Sequence, residues 1–291
     1  MKRTIKKFVS AALAATCIVG SAATFSACTT NHPEVEMQIN FNGVTYTLEY
    51  KLYRKIAPHT VNHFLALVEN EYYKDLCIHD YNADKWYGGV YEYNANTEED
   101  GGLVYRDYFS IVSAYENKDF VSVWKDSAKT LPTYTLYGEF PDNGMTLAKG
   151  DFLSQSLGSL AMCYTDKGEN ADEYEVFAER FDGKGMRSVK YEKNSATSML
   201  SFNITGSGIN KLFTTFATLT EDSVDEFNDL KTAIENYIKA NFSDDEDATF
   251  TQEVEVHYGQ GDPFIEDAEL TETFDVPSKP IIIKSVKVLK Y

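Results

Sequence analysis

Positive charge is scarce in this chain. Its 291 residues hold 27 Lys and Arg against 45 Asp and Glu, for a formal net charge of −18. Phosphate binding needs a basic face, so the balance argues against nucleic acid as a partner and against an electrostatic grip on anionic lipid. Cysteine is scarce too, with four in all. That is no disulfide framework, and no Cys-x-x-Cys or His/Cys cluster suggests zinc. The apolar run Phe8 to Gly20 has 13 residues, against the ~20 that a spanning helix needs. What is plentiful is core material. Hydrophobic residues make up 43% and aromatics 14%, which excludes wholesale disorder in a chain long enough for one large domain.

Residues 1–27 read as a secretory signal peptide: Lys2, Arg3, Lys6 and Lys7 give a positive start without acids, an apolar run follows, and small residues lead to "TFSAC". The "SAC" ending resembles the lipobox of bacterial lipoproteins, with Phe25 in place of the usual leucine-like residue. The resemblance implies that Cys28 carries lipid and that residues 28–33 form a polar tether. The protein is then expected on the extracytoplasmic face of a bacterial cell membrane, held by lipid and not by a spanning helix. Cys77 and Cys163 lie in apolar runs and are expected as two buried thiols.

From residue 34 the pattern is mostly strand. "VEMQINFNGVTYTLEYKLY" alternates around Asn42-Gly43, a hairpin signal. Pro58 opens a helix over "PHTVNHFLALVEN", with Thr60 the expected N-cap and Val61, Phe64, Leu65, Leu67 and Val68 at helical spacing. "DLCIHDY" and "WYGGVYEY" read as strands, the second interrupted by glycines that mark a bulge or close backbone approach. Residues 93–135 are polar and aromatic with weak periodicity. "LYGEF", "GSLAMCY" and "YEVFAERF" are short strand-like pieces. A helix is predicted from Asp222 to about Asn241. "SDDEDATF" reads as a solvated acidic turn, because it lacks the EF-hand glycine and distal glutamate. "KPIIIKSVKVLKY" is a strand with Ile282, Lys284, Val286 and Val288 on one face. Many strands, two separated helices and frequent turns predict a mainly β fold, a closed antiparallel barrel capped by two helices.

The order of these pieces resembles the cyclophilin family of peptidyl-prolyl isomerases. "YKLYRKIAPHTVNHFLALVENEYYKDLCIH" is similar to that family's second strand, first helix and third strand, with Pro58, Thr60, Asn62 and Phe64 on its helix signature. "YGGV", "LYGEF", "GSLAMCY" and "EYEVFA" resemble further family stretches in the right order. "TTFATLTE" resembles the segment before the second helix. The resemblance covers residues 34–291 and implies insertions near 93–135, 180–205 and 243–275. It also implies peptidyl-prolyl isomerisation of exported proteins, with proline-containing peptides as partners.

That reaction needs no metal and no cofactor. Amide resonance sets a barrier of roughly 18–20 kcal/mol. A catalyst must hold the proline ring in an apolar pocket and aim a donor at the prolyl nitrogen. In the family an arginine directly after the third-strand histidine supplies the donor. Here Asp80 stands in its place. An ionised carboxylate only accepts hydrogen bonds, and its charge opposes the electrostatics required. Lys85 is the candidate substitute, although an Asp80–Lys85 salt bridge is the more economical expectation. Tyr87 falls where the family has glutamine, Cys163 at the pocket edge, Phe213 near the loop histidine, and Phe177 on the pocket-floor phenylalanine. His79 is expected as a satisfied core histidine facing away from substrate. The implied activity is weak, and the alternative is a non-catalytic module that binds peptide or protein.

Overall fold

The computed structural model describes residues 30–97, 101–143, 151–164, 173–180, 184–242, 249–257, 262, 264 and 271–291. Cys28 and the leader lie outside them, as does most of the acidic loop. The main sheet has nine strands, eight of which form a ring: β1 (Glu34–Phe41), β2 (Val44–Leu52), β3 (Leu76–Tyr81), β4 (Lys85–Tyr93), β5 (Leu160–Met162), β6 (Leu200–Asn203), β7 (Thr214–Leu219) and β8 (Ile281–Lys290); the ninth, Leu103–Tyr105, adds to β4. The eight pair in the order β1–β2–β7–β5–β6–β4–β3–β8 and back to β1, every pair antiparallel. The sheet is therefore closed, which leaves no bare edge among these eight strands.

The turn between β1 and β2 works because Asn42 and Gly43 both take positive φ, 49° and 84°, as a two-residue type I′ turn demands. Alternation then aims Val35, Met37, Ile39 and Phe41 inward, with Tyr50, Leu48 and Tyr46 opposite the first three. Strand β8 departs from the alternation predicted for it. Ile281 and Ile283 are buried, and the next buried residue is Val286. A bulge opposite Gln38 and Ile39 shifts the register, so the inward face changes partway along the strand.

Two helices cover the barrel and a third is short. Helix α1 (Pro58–Glu69) buries Val61, Phe64, Leu65, Leu67 and Val68, and Phe64 meets Phe216 of β7 at 5.1 Å between ring centroids. Its N-cap is Ala57, without a side-chain cap bond. The expected cap, Thr60, lies inside the first turn. A distant carboxylate does the capping. Glu139 accepts from the Thr60 N–H (2.8 Å), the Thr60 hydroxyl (2.7 Å) and the His59 N–H (3.0 Å), satisfying donors that a helix start leaves open. Helix α2 (Tyr108–Ser113) is one short element in the long excursion after β4. Helix α3 (Glu221–Phe242) buries Phe227, Leu230 and Ile234, with Phe227 5.5 Å from Trp86 of β4.

Among the described residues three smaller sheets lie apart from the main one, the least of them the short pair Ser154–Gln155 and Gly208–Ile209. A three-stranded sheet joins Val123–Trp124, Glu175–Glu179 and Met186–Lys190 around its own core of Val123, Tyr137, Val176, Ala178 and Tyr191. A hairpin pairs Thr251–His257 with Thr271–Pro277 and lies against β3. Its Val254, Phe274 and Val276 share a buried cluster with Cys77, Tyr91 and Leu103. This placement corrects the sequence reading at one point. "EYEVFA" belongs to the small sheet, and the strand that follows β5 around the barrel is Leu200–Asn203, inside the stretch expected to be inserted. Ser201 pairs with Ala161 on one side and Tyr87 on the other.

Candidate functional site

Strand β3 is covered on both faces. Leu76 and Ile78 enter the main core, while Cys77 joins the cluster under the hairpin and His79 packs against the hairpin's Phe274. Register shifts on either side of Ile78 then set Asp80 opposite Tyr87. The glycines of "YGGV" permit the close packing here. A side chain at Gly89, which has φ +91°, would meet the Ser198 carbonyl at 2.6 Å, where β6 approaches and Ser198 Oγ donates to the Gly89 carbonyl at 2.7 Å.

Beyond the end of β3 a groove of about 460 Å³ opens. Asp80, Asn82 and Tyr87 form one side of it, and Tyr164, Met199, Leu212 and Phe213 supply apolar surface. Glu272 and Phe274 come from the hairpin, and Glu192 from the far rim. Three of the residues singled out from sequence, Asp80, Tyr87 and Phe213, thus meet in one place. Lys85 stands beside them, its Nζ 5.6 Å from the Phe213 ring centroid, and Phe213 in turn meets Tyr164 edge-on at 5.6 Å.

Asp80 is committed elsewhere than expected. Its Oδ1 accepts the backbone N–H of Asp275 at 3.1 Å, so the carboxylate ties the hairpin to the barrel. Asp80 and Lys85 form no ion pair among the described residues. Burial raises the Asp80 pKa, the Asp275 N–H lowers it, and the Asp275 charge raises it again. Asn82 is also spoken for, since its Oδ1 accepts from Asp84 and Lys85 N–H groups at 3.1 and 2.9 Å. Among the described residues no guanidinium lines the groove.

Cys163 lies one layer deeper. It is buried, and its N–H donates to the Met199 carbonyl at 2.9 Å. Burial pushes its thiol up to about 12, which leaves it an unreactive packing group. Cys77 is likewise a buried free thiol. For Phe177 the structure departs from the place expected in the site. The residue sits on Glu175–Glu179, paired with Ser188 and Trp124 in the small sheet, and does not line the groove. Met199, just before β6, lines the groove. Met199 stands in the strand-like run "SMLSFN", a local signal that was present. Glu272 and Phe274 had none, because nothing local ties a segment near 272 to a strand near 80.

His79 is buried as expected but not satisfied as expected. Tyr91 and Phe274 hold its ring edge-on at 5.0 and 4.8 Å, and neither ring nitrogen has a hydrogen-bond partner. Burial lowers its pKa to about 3; the Cys77 carbonyl, nearby but outside hydrogen-bonding geometry, opposes this in part. The imidazole is therefore neutral.

No family model matches the chain, and no curated protein matches it either. Among solved structures it is similar to a cyclophilin type peptidyl-prolyl cis-trans isomerase of Cryptosporidium parvum, with 16% identity and a TM-score of 0.39 over 89% of this chain and 99% of that one. The structure of that enzyme in the presence of the dipeptide Ala-Pro gives 13% identity and a TM-score of 0.38 over the same shares. What makes the barrel is the pairing of this chain's own strands. Among the described residues no cluster of His, Cys, Asp and Glu could hold a metal ion, and no helix is long and apolar enough to cross a membrane.

Proposed function

We propose that this chain is an exported, lipid-anchored protein with a cyclophilin-like barrel whose groove binds peptide segments, with proline isomerisation slow or absent. One observation carries the reading. At the position where the resemblance requires a donor, Asp80 faces the groove and its carboxylate accepts a backbone N–H from the hairpin. The apolar wall of Tyr164, Met199 and Phe213 suits an apolar ring such as proline. The twisted amide, however, needs a hydrogen bond to its nitrogen, and a carboxylate cannot donate one when ionised. Losing one such donor costs about 100- to 1000-fold in rate. Lys85 is a cation beside the groove, and it lies over Phe213; as a point charge on a flexible stem it is a poor replacement for a fixed fork.

The test pairs turnover with binding. In a protease-coupled assay on a proline peptide, the wild-type chain at micromolar concentration is expected to leave the cis–trans rate near its uncatalysed value. The same peptide is expected to perturb the NMR signals of Tyr87 and Phe213. Asp80→Arg is expected to raise turnover, since the ring-binding wall remains. Rapid turnover by the wild type would overturn the weak-activity reading. Absence of any peptide effect on Tyr87 and Phe213 would overturn the binding reading.

A further inference from the structure

Beside the groove lies a second, smaller and partly open space of about 40 Å³. It shares Tyr164, Met199, Glu272 and Phe274 with the groove, so it is a side chamber of the same opening. A single water occupies roughly 10–15 Å³ on this measure. The chamber therefore has room for the end of one side chain and not for a separate ligand.

Its chemistry is selective. Part of the wall is aromatic, with Tyr91, Tyr105, Phe109, Tyr164 and Phe274 contributing rings, and aromatic rings attract cations across their faces. Besides Ser195, Thr197, Cys163 and the tyrosines, two ionisable side chains line it. One is the Glu272 carboxylate. The other is the His79 imidazole, fully buried and without a partner at either nitrogen. A neutral imidazole always presents one lone pair. An unpaired buried acceptor costs roughly 1–3 kcal/mol, and an entering donor would recover that. An aliphatic end group would leave His79 unpaired. A carboxylate would meet Glu272 inside and Asp80 and Glu192 in the groove outside. An ammonium answers all three demands: it is cationic, it only donates, and it is compact. Arginine's planar fork is broader and suits a bidentate partner instead. A lysine also brings a four-carbon apolar stem, which matches the Met199 and Phe274 surfaces shared by chamber and groove.

We propose that the chamber receives the lysine side chain of a peptide lying in the groove, its ammonium held between Glu272 and the acceptor nitrogen of His79. This rests on the peptide-binding reading above and names the class of peptide, a lysine-bearing apolar segment. The acidic balance of the whole chain, −18, favours the approach of such a segment.

The experiment uses the full chain and labelled proline peptides read by fluorescence polarisation. The peptides are identical except for one residue beside the proline, which is lysine or its uncharged isostere norleucine. A further peptide carries the same lysine moved four residues away. The peptide with the adjacent lysine is expected to bind about tenfold tighter than either of the others. Glu272→Gln is expected to cut that advantage to about threefold or less. In ¹⁵N-histidine NMR, only the peptide with the adjacent lysine is expected to shift the His79 nitrogens. Equal affinity for lysine and norleucine would overturn the chamber while leaving peptide binding intact. Equal affinity for the displaced lysine would reduce the preference to general charge and overturn it too. If none of the peptides binds, the peptide-binding reading falls and the chamber falls with it.

Discussion

Glu139 is the residue whose burial has the clearest thermodynamic consequence. Burial raises its pKa to about 7, against the lowering effect of its bonds to Thr60 and His59. A carboxyl raised in the folded state keeps its proton while the unfolded chain has lost it. Its contribution is fully present below about pH 4.5, falls as pH rises, and is lost past about 7. The buried histidines act in the opposite sense. Burial lowers His59 and His63 to about 4 and His79 to about 3, so their contributions are full above about 6.5 and are lost on acidification. A wild-type curve therefore mixes two slopes, and a difference measurement separates them. Between pH 4.5 and 7.5 the stability of the wild type relative to Glu139→Gln is expected to decline by up to about 3 kcal/mol. Urea denaturation at four or five pH values reads this directly, and a pH-independent difference would contradict it. The position itself was visible in "LYGEF", but not its role. Nothing in the sequence says that a carboxylate some eighty residues downstream caps α1, so Thr60 took that part in the reading.

At the scale of elements, local pattern decided what could be read. The β1–β2 hairpin, α1 and α3 were legible because each carries its own periodicity and its own punctuation, Asn42-Gly43 and Pro58 among them. Strand β6 was not. Leu200–Asn203 has only four residues, while "YEVFAERF" alternates more convincingly and has the better local claim. Pairing partners far along the chain overruled that claim, as they do for short strands. The bulge in β8 was hidden for a similar reason, since it depends on the register of β1. The hairpin over β3 is the element that reshapes the site, and its attachment can be tested. Replacing Asp80 by alanine removes the acceptor for the Asp275 N–H. Exchange of that amide is expected to quicken about tenfold, as befits a hydrogen bond to a charged group worth about 1.5 kcal/mol or more. Amides of β1 and β2 should be unaffected. Unchanged exchange at Asp275 would show that the hairpin is held by its apolar cluster alone.

For the molecule as a whole, the mainly β barrel was readable from the count and spacing of strands, whereas the groove was readable only in part. Asp80, Tyr87 and Phe213 converge because they lie on or beside barrel strands that the resemblance had already ordered. Glu272, Phe274 and Met199 complete the walls from segments with no shared local signal, and Phe177 was drawn off into a separate sheet. The proposed attachment to a membrane belongs to the whole molecule too, and is argued from "TFSAC". Radiolabelled palmitate fed to expressing bacteria is expected to enter the wild type and not Cys28→Ala; equal labelling would contradict the anchor.

The two ends of the described fold touch. The Thr30 N–H donates to the Tyr291 carbonyl at 2.9 Å, and Glu34 stands opposite Lys290 in the β1–β8 ladder. A few glycines could bridge them, and the exposed Asn42-Gly43 turn, where a side chain on the glycine would meet nothing within 4 Å, offers a place to cut. The result would be a circular permutant with the same ring of strand neighbours but a new first and last strand. In such a molecule the order of synthesis, and not the architecture, would be what had changed.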